Sequence, residues 1–437
     1  MGGLGILALA FFGLVLVFAS GMPVAFGLLL INIVGFAIYA GIDALPLLAD
    51  SAFGSIAQFT LVPVPLFLLM GELLVRAGFG NQIVQLVDDW MGRVPGRLSL
   101  SAVGAGAVFG AVSGSSMAST ALLGSTLMGE MDRRRYHPQV SVGAILAAGG
   151  LAILIPPSAL GVLLGALAKV SIGELLIACI LPGLLLAALY AVYFVVQAKL
   201  RPDLAPPYTG PRKPLGARIR GLVVLIPLAA LVLLVTGFIF LGIATPSETA
   251  ALGAVGALLV SIAYRRLNWR ILREALLGTL GTTAMINAIL VGAAAFSQLL
   301  SFTGAASALV SVATGFKLDP LTLALTVQVL ILVLGCFIDA VSIMLIAVPM
   351  IMPLAAAVGA DPIWLCVLIL IQLELGGITP PFGVLLFVIR GLRPDIATAT
   401  VYRSIVPIVA IQLALCGLLM LFPEITRVLI GAMSARP

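Results

Sequence analysis

The sequence predicts an all-α polytopic membrane protein built as an inverted repeat, with two re-entrant helical hairpins and two transmembrane helices broken by Pro-Pro pairs. Three observations predict this. First, 62% of the 437 residues are hydrophobic and only 9% are charged, against roughly 25% charged in soluble domains; mean hydropathy is +1.25. Second, Pro156-Pro157 and Pro380-Pro381 both fall inside long apolar runs. Proline has no backbone N–H and clashes with the preceding turn, so each pair breaks its helix. A break inside a bilayer is tolerated only where the freed backbone lines a protein cavity or binds something. Third, each pair follows another interruption at nearly the same interval: 42 residues from Gly114 to Pro156, and 41 from Asp339 to Pro380.

Composition also excludes several classes. Alternating strand patterns are absent, which argues against an outer-membrane barrel. The chain opens on the apolar run Leu4–Phe18 without a basic segment before it, so a cleaved signal peptide is not expected. The net charge of +6 sits in blocks between apolar runs, as the positive-inside rule requires, and implies no nucleic acid. Four scattered cysteines and a single histidine support neither a disulfide framework nor a zinc site.

In chain order, residues 1–98 hold apolar spans at roughly 4–20, 22–41 and 56–76, then the polar, membrane-surface stretch Asp88–Arg97. Residues 99–170 form the first repeat. Its hairpin, 99–131, is interrupted at Ser113-Gly114-Ser115-Ser116. The arm Ser99–Val112 gives roughly 21 Å of helix at 1.5 Å per residue, short of the ~30 Å hydrocarbon core. Basic residues flank both ends, so the segment enters and returns on one side. The broken helix, 139–168, follows. Residues 171–320 hold further spans at roughly 174–198, 221–243, 247–264 and 275–300. They include the linker 199–220 between the halves, with five prolines (Pro202, Pro206, Pro207, Pro211, Pro214) and six basic residues (Lys199, Arg201, Arg212, Lys213, Arg218, Arg220). The second repeat, 321–393, has a hairpin at 322–358 interrupted around Gly335–Asp339, and a broken helix at 363–390. Residues 394–437 end the chain with a span at roughly 401–422.

With the N-terminus outside, all but four of the 23 basic residues fall inside, the exceptions being Lys169, Lys317, Arg427 and Arg436. This bias sets orientation and places both termini outside. The first hairpin then enters from the cytoplasmic side and the second from the opposite side, so the repeats are inverted, as in many secondary transporters.

A broken helix exposes carbonyls at one half-helix end and N–H groups at the other. Carbonyls suit a hard cation such as Na⁺, and the N–H end suits an anion. In the first repeat, the tip hydroxyls of Ser113 and Ser116 and the carbonyls of Ala152, Ile155 and Pro157 are the cation candidates. In the second, Gly335, Phe337, Gly376, Thr379 and Phe382 play that role. Ser115 and Ser158 offer hydroxyls to a shared substrate cavity. Asp339 is the acid at a mid-membrane break, and membrane acids are functional candidates by default; it also reads as the N-cap of its return arm. Glu374 reads equally as a structural hydrogen-bonding group or a functional one. Ser119, Thr120 and Ser125 read equally as packing residues. Glu72 and Glu248 read as interfacial or helix-end partners, and His137 as a surface residue.

Five stretches carry a family resemblance: VFGAVSGSSMAST (108–120), MGEMDRRRYHPQVSVGAILAAGG (128–150), LIPPSALGV (154–162), LGCFIDAVSIML (334–345) and GGITPPFGVLLF (376–387). In these the chain resembles the large membrane subunit of tripartite ATP-independent periplasmic (TRAP) transporters, over essentially its whole length. The resemblance implies Na⁺-coupled import of a carboxylate, such as a dicarboxylate or sugar acid, across the bacterial inner membrane by an elevator mechanism. It implies a small four-helix membrane subunit and a periplasmic substrate-binding protein as partners, about two or more Na⁺ ions, no organic cofactor and no enzymatic activity. It places one Na⁺ on Ser113, Ser116, Ala152, Ile155 and Pro157, a second on Gly335, Phe337, Gly376, Thr379 and Phe382, and the substrate on Ser115, Ser158 and Asp339. Some members carry Gly where this chain has Ala152; a carbonyl ligand survives that change.

Other classes fit less well. Stand-alone Na⁺/carboxylate symporters of related architecture show Ser-Asn-Thr at both tips, whereas these tips read Ser-Gly-Ser-Ser and Phe-Ile-Asp-Ala. An aspartyl intramembrane protease needs two facing acids, and only Asp339 is central, with Glu374 the sole second choice. Zinc proteolysis lacks its ligands. A channel does not call for two occluding hairpin sites.

Overall fold

The computed structural model describes residues 3–39, 41, 43, 46–208, 214–315, 318–381 and 383–434. Phe382 therefore lies outside the described residues, as do Pro211, Arg212, Lys213, Lys317 and Arg436. The described secondary structure is helical, in twenty α-helices. Six helical stretches are 18 residues or longer and apolar enough to cross a membrane, one of them the 3-10 turn Phe59–Leu61 run on into Pro63–Arg76, and a seventh span forms if one bent pair is counted as a single span.

That bent pair is the first Pro-Pro helix, Pro138–Leu154 and Ala159–Leu167, which turns by 45° at the break. Pro156 occupies the position four residues after Ala152, so the Ala152 carbonyl has no helical donor. Ile155 leaves the helix in an extended conformation, and Ser158 restarts the chain as an N-cap. The second Pro-Pro helix, Pro362–Ile378 and Val384–Leu392, ends in the same way, with Thr379 extended. Both Pro-Pro bonds are cis.

Each broken helix follows a helix–turn–helix hairpin. The first pairs Arg97–Ser113 with Ser116–Arg133; Gly114 turns the chain at φ +59°, and Ser115 caps the return arm. The second pairs Pro320–Gly335 with Ala340–Ala357, capped by Asp339.

Small residues bring hairpin and broken helix together. Gly106 and Gly110 face Ala148 and Ala152: a methyl on Gly106 would lie 2.4 Å from the Ala148 carbonyl oxygen, and one on Gly110 would lie 2.8 Å from the Ala152 Cα. Such small-residue spacing lets helix backbones approach closely where lipid provides no hydrophobic drive. The second half repeats the crossing with Gly335 against Gly376.

Long helices surround this core, chiefly Pro63–Arg76, Ile172–Leu200, Pro246–Ala263 and Trp269–Phe302. Gly71 of the first lies against the hairpin tip, where its methyl would be 2.7 Å from the Ser113 carbonyl oxygen. Arg76 joins Glu72 (2.6 Å) and Glu274 (3.2 Å), tying Pro63–Arg76 to Trp269–Phe302. At the base of the first hairpin, Arg97 makes a two-pronged pair with Asp88 (2.8 and 2.6 Å). Arg97 and Arg134 also stand 4.0 and 4.5 Å from the ring centre of Tyr208, from the linker between the halves.

Candidate functional site

The tips of both hairpins, the half-helices on either side of both breaks and two surrounding helices converge on a cavity of about 180 Å³. Gly114, Ser115 and Ser116 line it from the first hairpin, and Ile338 and Asp339 from the second. Ala159 and Leu160 come from the first broken helix, Glu374 and Gly377 from the second, and Leu68, Thr282, Met285 and Ile286 from the surrounding helices.

The first-half candidates gather at one place. A methyl on Gly114 would lie 3.2 Å from the Pro157 carbonyl oxygen and 3.2 Å from the Ala159 amide nitrogen, so the hairpin tip sits on the break. The Ser113 and Ser119 hydroxyls are 3.1 Å apart. Ser116 donates its hydroxyl proton to Glu374 Oε2 at 2.7 Å, across 258 residues of sequence. Ser115 accepts from the Ala118 amide at 3.3 Å while lining the cavity. Ser158 is buried behind Ala159, accepting from the Gly161 amide at 3.2 Å.

In the second half, Gly335 and Gly376 meet backbone to backbone. Thr379 donates its hydroxyl proton to the Leu375 carbonyl (2.6 Å) and its amide to the Gly376 carbonyl (3.1 Å), and accepts from the Gly383 amide (3.1 Å). The hydroxyl oxygen keeps lone pairs for a further partner. The Phe337 side chain is 63% exposed, so any part it plays in a cation site is through its backbone. Asp339 accepts from the Ser342 amide (3.1 Å) and from the Ser342 hydroxyl, and lines the cavity. The cap and the cavity-facing acid are thus one residue.

The sequence admits two roles for Glu374. The structure gives it a specific place: it is 3% exposed, bonded to the opposite repeat's tip, and on the cavity wall. An acid inside an otherwise apolar run was the signal; its partner was not readable.

The cavity has neighbours along one face of Trp269–Phe302. Thr283, Ile286 and Asn287 line a second space of about 180 Å³. Leu290, Ala293, Ala294 and Ser297 line a third of about 510 Å³, which reaches Gln58, Lys169 and Pro349. Ile286 belongs to the first two spaces, and Gln58 and Leu61 to the last two.

Half-helices meeting around a cavity among apolar helices define the chain as a polytopic membrane protein with the architecture of a transporter. Solved structures agree at the level of fold. The Alcanivorax borkumensis YdaH transporter superposes with a TM-score of 0.61 at 18% identity, covering 87% of this chain and 89% of that one. Neisseria gonorrhoeae MtrF does so with a TM-score of 0.58 at 14% identity, over 89% and 85%. Residues 11–425 match the family described as the tripartite ATP-independent periplasmic transporter, DctM component. The chain belongs to this family and is a multi-pass inner-membrane protein. Among its relatives, the C4-dicarboxylate TRAP transporter large permease protein DctM of Pseudomonas aeruginosa is 31% identical over 89% of this chain and 90% of its own length. The sialic acid TRAP transporter large permease protein SiaM of Vibrio cholerae is 30% identical over 94% and 95%. The isethionate TRAP transporter permease protein DctMQ of Oleidesulfovibrio alaskensis is 29% identical over 94% of this chain, which spans 64% of that relative's length.

Proposed function

We propose that this chain is the large membrane subunit of a Na⁺-coupled importer of an organic acid. The observation that carries the proposal is the cavity on which both hairpin tips and the half-helices flanking both Pro-Pro breaks converge. One cation site lies at the first tip and break (Ser113, Ser116, Ala152, Ile155, Pro157). The other lies at the second (Gly335, Phe337, Gly376, Thr379, with Phe382). The substrate carboxylate binds between them at Ser115 and Asp339, and reaches Ser158 only if the half-helix at Ala159 shifts aside. Bound Na⁺ offsets the Asp339 charge that otherwise repels an anion. The half-helix N-termini that start at Ala159 and Ala340 direct partial positive charge toward the same space.

Relatives named for C4-dicarboxylate and for sialic acid support the organic-acid class. The name DctMQ, borne by a relative longer than this chain, supports a separate small membrane subunit as partner. Family membership supports a periplasmic binding protein as the donor of substrate. The hairpins are re-entrant, both termini are periplasmic, and the hairpins and broken helices move together past the surrounding helices as an elevator. Substrate reaches the cavity through the spaces along Trp269–Phe302, from the Lys169 side that the charge bias places outside.

Reconstitution in liposomes with the small subunit and the binding protein tests this reading. Uptake of the binding protein's ligand is expected only when an inward Na⁺ gradient and the binding protein are both present. Uptake without Na⁺ overturns the coupling, and Na⁺-driven uptake without the binding protein makes the chain a stand-alone symporter.

A further inference from the structure

We propose that Glu374 is a direct ligand of Na⁺ at the first hairpin's tip, together with the hydroxyls of Thr120 and Ser116, so that the second repeat supplies the charge for a cation site of the first. The inference rests on the Na⁺ coupling proposed above and adds a charged ligand to a site otherwise made of neutral hydroxyls and carbonyls.

Three observations carry it. Glu374 is a carboxylate buried at 3% exposure, and among the described residues no basic side chain pairs with it. A buried carboxylate without a counter-charge is strongly disfavoured, and a cation held beside it removes that cost. Next, its hydrogen bonding is half complete: Oε2 receives the Ser116 hydroxyl at 2.7 Å, while Oε1 has no hydrogen-bond partner and is shut off from solvent. Buried polar atoms in proteins are mostly satisfied, and among the described residues Glu374 is the one carboxylate with a buried oxygen left unpartnered. Last, the first broken helix meets a second oxygen without a partner. Thr120 Oγ1 is buried without a partner, and both oxygens rest against the adjacent glycines of the first broken helix. A methyl on Gly149 would lie 2.0 Å from Thr120 Oγ1, and one on Gly150 would lie 2.7 Å from Glu374 Oε1. Any other residue at Gly149 or Gly150 would fill the space in which these oxygens stand. Two unsatisfied oxygens, a carboxylate among them, with the Ser116 hydroxyl alongside, form the all-oxygen donor set that a hard cation takes.

The test is Na⁺-dependent thermal stabilisation of the full chain purified in detergent, titrated with NaCl against choline chloride, since a ligand that binds only the folded state raises the melting temperature. Wild-type protein is expected to show a saturable rise. Glu374→Gln keeps the shape and an acceptor for Ser116 but removes the charge, and should raise the Na⁺ midpoint at least tenfold. Thr120→Val removes an oxygen that makes no hydrogen bond, and should raise it several-fold without lowering the melting temperature in choline. Thr120→Val also decides the matter if Glu374→Gln fails to fold. A wild-type response with both variants within twofold of it overturns the inference and leaves Na⁺ coupling standing, with Glu374 a hydrogen-bonded strut. No Na⁺ response in the wild type overturns both.

Discussion

Gly335 and Gly376 pack backbone to backbone: a methyl on Gly335 would lie 2.6 Å from the Gly376 Cα, and one on Gly376 would lie 2.7 Å from the Gly335 Cα. The contact is the counterpart of Gly110 on Ala152, where the same construction gives 2.8 Å. Each hairpin is therefore seated on its own broken helix by a close crossing just before the break, to which the first hairpin adds Gly106 on Ala148.

Gly335→Ala should force this crossing apart. Overpacking a tight contact costs about 1–3 kcal/mol, so a melting temperature several degrees below wild type is expected in detergent. An unchanged melting temperature would mean that the two helices separate freely.

Thr379→Ala removes a hydroxyl that bonds the Leu375 carbonyl and, in the proposed site, ligates Na⁺. The Na⁺ concentration for half-maximal uptake should rise several-fold, with little change in the amount of protein inserted. A superimposable Na⁺ titration would remove the side chain from the site and leave only the Thr379 carbonyl.

Asp339→Asn separates the two roles of this residue. Asn caps a helix about as well as Asp, so Ala340–Ala357 should persist and membrane insertion should be normal. Uptake is expected to fall at least tenfold if the charge serves the site. Full activity would leave Asp339 as a cap alone.

Ser297→Cys, in a background with Cys336→Ser, tests the route along Trp269–Phe302. Ser297 lines the 510 Å³ space that reaches Lys169. A membrane-impermeant thiol reagent added outside intact cells should label it. Labelling only from the cytoplasmic side would invert the proposed orientation.

Asp88→Asn breaks the two-pronged pair with Arg97 while keeping the side-chain shape. The pair is mostly buried, with the two side chains 10% and 21% exposed. A charged hydrogen-bonded pair in that setting contributes about 1–3 kcal/mol, so a lower melting temperature is expected. Wild-type stability would show that the Tyr208 ring and the Gly92 carbonyl hold Arg97 unaided.

Much of this geometry was legible in the sequence, because it follows from local chemistry. Pro156 and Pro380 end helices wherever they stand, and the breaks lie where an absent N–H requires them. Ser115, Ser158 and Asp339 cap helices, as residues of their type do after a turn. The short helices Pro46–Ile56, Ala305–Gly315 and Glu424–Ser434 were not foreseen; at 11 residues each they are too short to read as spans. Nor was the meeting of Ser116 with Glu374. A helix such as Pro362–Ile378, apolar but for Gln372 and Glu374, has no polar face to show which side its single acid presents, or to what. That Thr120 lacks a partner was equally hidden, because helix periodicity says nothing of the neighbour across 149 and 150.

The bond between Ser116 and Glu374 has a mechanical counterpart at the helix ends, where Arg393 reaches Asp132 at 2.5 Å. Both links run from the first hairpin to the second broken helix, one at the tip and one at the base. Bending one repeat against the other would have to shear a buried polar contact and a charged one at the same time. The inexpensive displacement is one that keeps the two repeats in register, so the halves travel as a single lever rather than as two.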